Sequence, residues 1–196
     1  MNSICVFCGS SSGRNKIYEE AARATGEALG RAGIRLVYGG GKVGLMGALA
    51  DAVLSAGGAV TGIMPRALVE REIAHRSITD FTIVETMHER KELMESVSDA
   101  FVALPGGAGT LEEIFEQWTW SQLGIHRKPC GFLNVNRYFD PLLALVNHMV
   151  AEGFVAESFA ATLIFEDTTD ALLRRLRRYQ SPPHKWPKRI TPSVRP

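Results

Sequence analysis

Residues 100–120 read AFVALPGGAGTLEEIFEQWTW. An apolar run (100–104) passes directly into a glycine-rich turn (105–110), and that turn opens a stretch in which Leu111, Ile114, Phe115 and Trp118 recur at i, i+3, i+4 and i+7. The run has the length of a buried strand, and the stretch has the period of a helix with one apolar face, leaving Glu112, Glu113 and Glu116 off that face. Thr110 and Glu113 are spaced T-x-x-E, which predicts a capping box at the start of this helix.

The same order recurs on both sides. Short β-branched or apolar runs at 3–8, 34–38, 59–63, 81–84, 130–135 and 162–165 predict six more strands. Segments of helical length and period lie at 15–32, 44–57, 88–98, 110–123, 139–152 and 168–179. Gly33, Gly57-Gly58 and Gly153 stand where left-handed helix stops are expected. Strand alternating with helix implies a parallel sheet covered on both faces, a doubly wound α/β fold in a single domain. That domain is expected over 1–180. From Ser181 the chain reads SPPHKWPKRITPSVRP, a Pro-rich basic tail without helical or strand period.

Charge is divided in the same place. The net charge is +1, yet residues 1–170 hold all 21 acidic residues against 14 basic ones, and 171–196 hold eight basic residues and no acid. No apolar run approaches the roughly 20 residues of a spanning helix, and the N-terminus lacks a secretory pattern, so a cytoplasmic protein with no membrane association is expected. Three cysteines make no complete disulfide framework. Cys5 and Cys8 are spaced C-x-x-C inside a predicted strand, and they read as buried thiols rather than a redox or zinc pair.

In an open parallel sheet, ligands bind beyond the carboxyl ends of the strands. Three strands run into glycine-rich turns there: Cys8–Gly13, Gly39–Gly44 and Pro105–Thr110. Glycine lets backbone N–H groups approach an anion, and a helix N-terminus adds about half a positive charge, so a nucleotide phosphate suits these loops. Residues 39–44 match G-x-G-x-x-G, but no acid closes the next strand as a dinucleotide ribose requires. Lys42 completes no Walker A run either, so NAD and ATP chemistry lose ground.

A second cluster, Met87-His88-Glu89-Arg90-Lys91, opens the helix before the fifth strand, where cations oppose the helix dipole and therefore invite an anionic partner. His75, His88, His126 and His148 have no metal-ligand spacing, and no metal is expected. Arg174, Arg175, Arg177 and Arg178 share a helix with the apolar stripe Leu172, Leu173 and Leu176. A solvated face explains them better than a nucleic-acid surface.

PGGAGTLEE (105–113) together with MHERK (87–91) resembles the paired motifs PGGxGTxxE and MHxRK of the LONELY GUY family, the cytokinin riboside 5′-monophosphate phosphoribohydrolases. The likeness runs from CVFCGSSSG through YGGGKVGLMG to WTWSQLGIHRKP and YFDPLL. It implies a Rossmann-like fold, a homodimer and no cofactor. It also implies hydrolysis of an adenosine 5′-monophosphate, often N6-prenylated, to free base and ribose 5-phosphate. By motif position, the catalytic residues are Arg90 and Glu113. The substrate contacts are Glu72, Lys91, Gly107, Ala108, Gly109, Thr110, Leu111, Glu112 and Thr119, with Gly9, Ser10, Gly40, Gly41 and Gly106 added from the glycine loops. Members of the family have also carried the label lysine decarboxylase, which suits this sequence poorly because no lysine has a recognisable Schiff-base context. A non-hydrolytic nucleotide carrier of the same fold is the alternative.

Overall fold

The structure is a computed structural model that describes residues 1–69 and 74–182. Among the described residues the strands are β1 (Ser3–Phe7), β2 (Arg35–Tyr38), β3 (Val60–Pro65), β4 (Asp80–Val84), β5 (Phe101–Ala103), β6 (Cys130–Leu133) and β7 (Leu163–Glu166). They form one sheet in the order β4-β3-β2-β1-β5-β6-β7, and every pairing is parallel. The helices are α1 (Ile17–Arg31), α2 (Gly44–Ser55), α3 (Arg66–Val69), α4 (Met87–Ser96), α5 (Ala108–Leu123), α6 (Asp140–Ala151), α7 (Glu157–Ala160) and α8 (Thr169–Arg178). The seven strands and six long helices expected from the sequence are all present. The short helices α3 and α7 and a 3-10 turn at Val135–Arg137 are additions, each too brief to carry a period.

Alternation along the strands divides the apolar side chains between two cores, because successive residues point to opposite faces. Ile4 and Val6 of β1 and Val102 of β5 join Leu29, Leu49, Leu172 and Leu176 on the side of α1, α2 and α8. Cys5, Phe7, Phe101 and Phe132 join Met94, Ile114, Trp118 and Phe159 on the side of α4, α5 and α7. Cys5 and Cys8 therefore fall in different cores. Burial raises both thiols far above their ordinary range, with the Glu113 carboxylate adding to it, so they are inert packing residues. Glycines close the helices as expected, with φ of 64° at Gly33, 79° at Gly57 and 78° at Gly153.

The strand order creates the crevice. From β1 the chain steps outward through β2 and β3 to β4, then returns through α4 to lay β5 on the other side of β1. The loops after β1 and β5 leave toward opposite faces, which opens a gap at this switch point. In register, Phe7 pairs with Ala103, and just beyond them the Gly9 N–H donates to the Pro105 carbonyl at 3.1 Å.

His126 follows α5 and is buried against Phe101, with ring centroids 5.2 Å apart. Its Nδ1 accepts from the Lys128 N–H at 3.1 Å, and the ring also faces the Gln117 backbone. Burial, opposed by Glu95 and assisted by the Lys128 charge, lowers its pKa to about 4. The unfolded chain, with His near 6.5, takes up a proton that the native state refuses. The contribution of His126 to stability is therefore complete above about pH 6.5 and is lost progressively as the pH drops toward 4. Thermal unfolding across this range is expected to show a steeper loss for the wild type than for His126→Gln; parallel curves would contradict the assignment.

Candidate active site

Three of the strand-end loops are tied together at Gly9. Its N–H bonds the loop after β5, and its carbonyl accepts the Leu45 N–H of α2 at 3.0 Å. Between these loops lies a cleft of about 240 Å³, lined by Gly9, the 11–13 turn, Gly106, Gly107 and the rings of Tyr18 and Tyr138. Ser10 is exposed in the same loop.

Helix α5 begins three residues earlier than its T-x-x-E spacing suggested. Gly107 is the N-cap, in extended conformation and with no side-chain cap, so the first-turn N–H groups receive no side-chain oxygen. Thr110 is inside the helix and buried, its hydroxyl packed where a Cβ on Gly106 would stand. The predicted Thr110–Glu113 capping box is therefore not formed, and Glu113 lies in the second turn. Ala108 and Gly109 are exposed on the first turn, and Leu111 is half-buried.

What Glu113 meets instead is Arg90. Its Oε1 lies 3.0 Å from Arg90 Nη2, and the two side chains are only 14% and 12% exposed. Arg90 arrives there because α4 is capped by a T-x-x-E that sequence reading overlooked. Thr86 Oγ1 accepts the Glu89 N–H at 3.1 Å, and the Glu89 carboxylate accepts the Glu85 N–H at 2.8 Å. This turns the second turn of α4 toward α5. Gly39, at the end of β2, completes the seat, since a Cβ there would collide with Arg90 Nη2. Arg90 Nε is buried without a partner, so this guanidinium is largely desolvated and keeps donor capacity.

Lys91, the neighbouring cation, is also occupied. Its ammonium contacts Glu112 Oε1 and lies 3.3 Å from Glu116 Oε1, with the side chain 14% exposed. Burial alone would lower its pKa, but the two carboxylates outweigh that and raise it. The cations that seemed misplaced at the start of α4 thus have their counter-charges on α5.

The remaining expected contacts are more scattered. Gly40 and Gly41 are buried beneath the 74–75 segment: the Gly40 carbonyl accepts the His75 N–H at 2.9 Å, and Gly41 bridges Ala74. Thr119 is exposed farther along α5, its hydroxyl donating to the Phe115 carbonyl at 2.8 Å. Glu72 lies outside the described residues, as do Glu70, Arg71 and the tail from 183 onward. Tyr18, Gly39, Thr86 and Tyr138 went unassigned from sequence. Tyr138 had one available signal, since the loop after β6 opens at the same sheet edge as the loop after β5. On α8, Leu172, Leu173 and Leu176 are buried while Arg175 pairs with Glu166 at 3.0 Å. Among the described residues, no helix is long and apolar enough to cross a membrane.

The model of a family described as possible lysine decarboxylase matches residues 46–176. The chain is 51% identical over 176 residues to a probable cytokinin riboside 5′-monophosphate phosphoribohydrolase of Oryza sativa subsp. japonica, covering 90% of this chain and 79% of that one. It is 48% identical over 163 residues to the cytokinin riboside 5′-monophosphate phosphoribohydrolase of Rhodococcoides fascians, covering 83% and 82%. Among solved structures, the molybdenum cofactor binding protein of Rippkaea orientalis aligns with a TM-score of 0.67 over 90% of this chain and 95% of that one. At 16% identity that likeness is one of fold.

The seat of Arg90 can be tested without touching either charge. Gly39→Ala puts its methyl against the mobile end of an arginine rather than against backbone, so the variant is expected to fold, losing up to about 3 kcal/mol as the desolvated pair is drawn apart. A crystal structure of the variant should show Arg90 Nη2 moved away from Glu113. An unmoved pair at 3.0 Å would contradict this account of the site.

Proposed function

The chain belongs to the family of cytokinin riboside 5′-monophosphate phosphoribohydrolases, the LONELY GUY family, and from that premise we propose what it does and with which residues. It is an enzyme that hydrolyses the N-glycosidic bond of adenosine 5′-monophosphates, bare or N6-substituted, to free purine and ribose 5-phosphate. The observation carrying this reading is the desolvated Arg90–Glu113 pair beside the uncapped N-terminus of α5.

Breaking a ribosyl bond builds positive charge on the sugar and negative charge on the departing base. The Glu113 carboxylate, 3.0 Å from the Arg90 guanidinium, orients the attacking water and faces the cationic sugar. Arg90 holds the nucleotide and offsets charge with its unpartnered Nε–H. A guanidinium keeps its proton in proteins, so Arg90 stabilises charge without giving one up, and the base takes its proton from another donor. The phosphate is anchored by backbone N–H groups of Ser10 and its neighbours beyond Gly9, whose own N–H is committed to Pro105, and by those of residues 106–110 ahead of Leu111. Glu72, Lys91, Glu112, Thr119, Gly40 and Gly41 complete the proposed contacts. Lysine decarboxylation through a Schiff base fits Lys91 badly, because an attacking amine must be neutral and this one is held protonated between two carboxylates.

The reading extends to a cytoplasmic homodimer without nucleic-acid or membrane partners, with the catalytic domain at 1–180 and an appended tail at 181–196. Support for the dimer comes from Leu123 and Ile125, 58% and 60% exposed beyond Thr119 at the end of α5. Support for the cytoplasm comes from three unpaired cysteines.

Purified protein incubated with AMP or N6-isopentenyl-AMP is expected to release base and ribose 5-phosphate in equal amounts, and Glu113→Gln should lower kcat/KM by about 10²-fold or more. A wild type that binds the nucleotide and returns it intact would be a carrier, and the hydrolytic reading would fall.

A further inference from the structure

We infer that Tyr138 is a positioning residue for the phosphate, fixing the Gly106–Gly107 peptide so that backbone N–H groups at the start of α5 stay aimed at an anion. The inference rests on the function proposed above. Tyr138 is 40% exposed, yet its hydroxyl donates to the Gly106 carbonyl at 2.6 Å across the mouth of the glycine cleft. In a trans peptide the carbonyl and the following N–H point in opposite directions. Holding the Gly106 oxygen on the Tyr138 side therefore sets the direction of the Gly107 N–H, at the point where α5 has no side-chain cap.

The loop that delivers this tyrosine is built against its own backbone preferences. Asn136 (φ 51°) and Arg137 (φ 58°) are the two non-glycine residues with positive φ among the described residues, and they immediately precede Tyr138. Asparagine tolerates this region; arginine has no such excuse. The conformation is held from several sides. Asn134 accepts the Phe139 N–H at 2.7 Å and donates to Asp140 at 2.8 Å, and its own N–H bonds the Glu166 carbonyl at 2.8 Å. Tyr18 then braces the Tyr138 ring edge-on, with centroids 5.6 Å apart. Strain kept in place by this many contacts marks a side chain whose position matters. The element it positions is the glycine turn at the start of α5, which makes Tyr138 an adjunct of anion binding rather than of bond cleavage.

Tyr138→Phe removes the hydroxyl and keeps the ring against Tyr18. A net hydrogen bond of ordinary strength sets the scale, so ribose 5-phosphate should bind about three- to tenfold more weakly by titration calorimetry. KM for AMP should rise by a similar factor with kcat within about twofold, because phosphate binding is shared by ground and transition states. Inhibition by adenine, which lacks the phosphate, should be unchanged. A KM that stays at the wild-type value, or equal weakening of adenine and ribose 5-phosphate, would overturn the assignment of Tyr138. A wild type that binds no ribose 5-phosphate would overturn the proposed function itself, and this inference with it.

Discussion

The ion pair between Arg90 and Glu113 ties together the helices on either side of β5 in the chain, α4 and α5, and the site depends on it. Each side chain is more than four-fifths removed from solvent, so each would be costly to bury alone. Removing one partner of such a pair leaves an uncompensated charge, a loss of about 3–5 kcal/mol where burial is complete. The surroundings keep the pair together. Lys91 joins α4 to Glu112 and Glu116 of α5, the Thr86–Glu89 cap fixes the start of α4, and Gly39 leaves room for the guanidinium. A chain that only needed stability could fill this space with apolar side chains. Two desolvated charges are retained on α4 and on α5, the helix whose N-cap Gly107 borders the glycine cleft, and such a pair suits a substrate that develops charge of its own.

An anionic substrate meets a domain whose overall charge is unfavourable. Residues 1–180 hold 21 acidic and 18 basic residues, a net −3, so the domain's overall charge offers a nucleotide monophosphate no long-range attraction. The proposed binding draws on local sources: the uncapped start of α5, the backbone of the Gly9 loop tied to Pro105 and Leu45, and the Arg90 guanidinium. Backbone N–H groups serve this purpose well because their dipoles are fixed by the fold and need no reorganisation when the ligand arrives. The basic helix α8 packs its leucines on the α1 and α2 side of the sheet, while α4 and α5 cover the other side.

Much of this was legible in the sequence because the period-2 and period-3.6 patterns are unbroken over each element. Every long element appears within a few residues of its expected place, and the three glycine turns meet at one edge because β2, β1 and β5 are neighbours. The errors arose where one local pattern has two physical uses. T-x-x-E at 110–113 looks like a cap, but the extended Gly107 lets the helix start at Ala108, and Thr110 packs on Gly106 instead. The T-x-x-E that does cap lies at 86–89, half hidden by the cations that follow it. Lys91 read as a point charge for a ligand, since sequence cannot show that α5 presents two carboxylates to it. Tyr138 belongs to no periodic pattern, and only the strained loop after β6 reveals what it touches.

The central claim is that Arg90 and Glu113 act as one unit in N-glycosidic hydrolysis, and a double-mutant cycle on kcat/KM tests it most directly. Wild type, Arg90→Ala, Glu113→Gln and the double variant would be compared with AMP as substrate. Residues that work together lose function once, so the double variant is expected to fall about as far as the worse single variant. Losses that multiply across the cycle would show two independent residues and contradict the account.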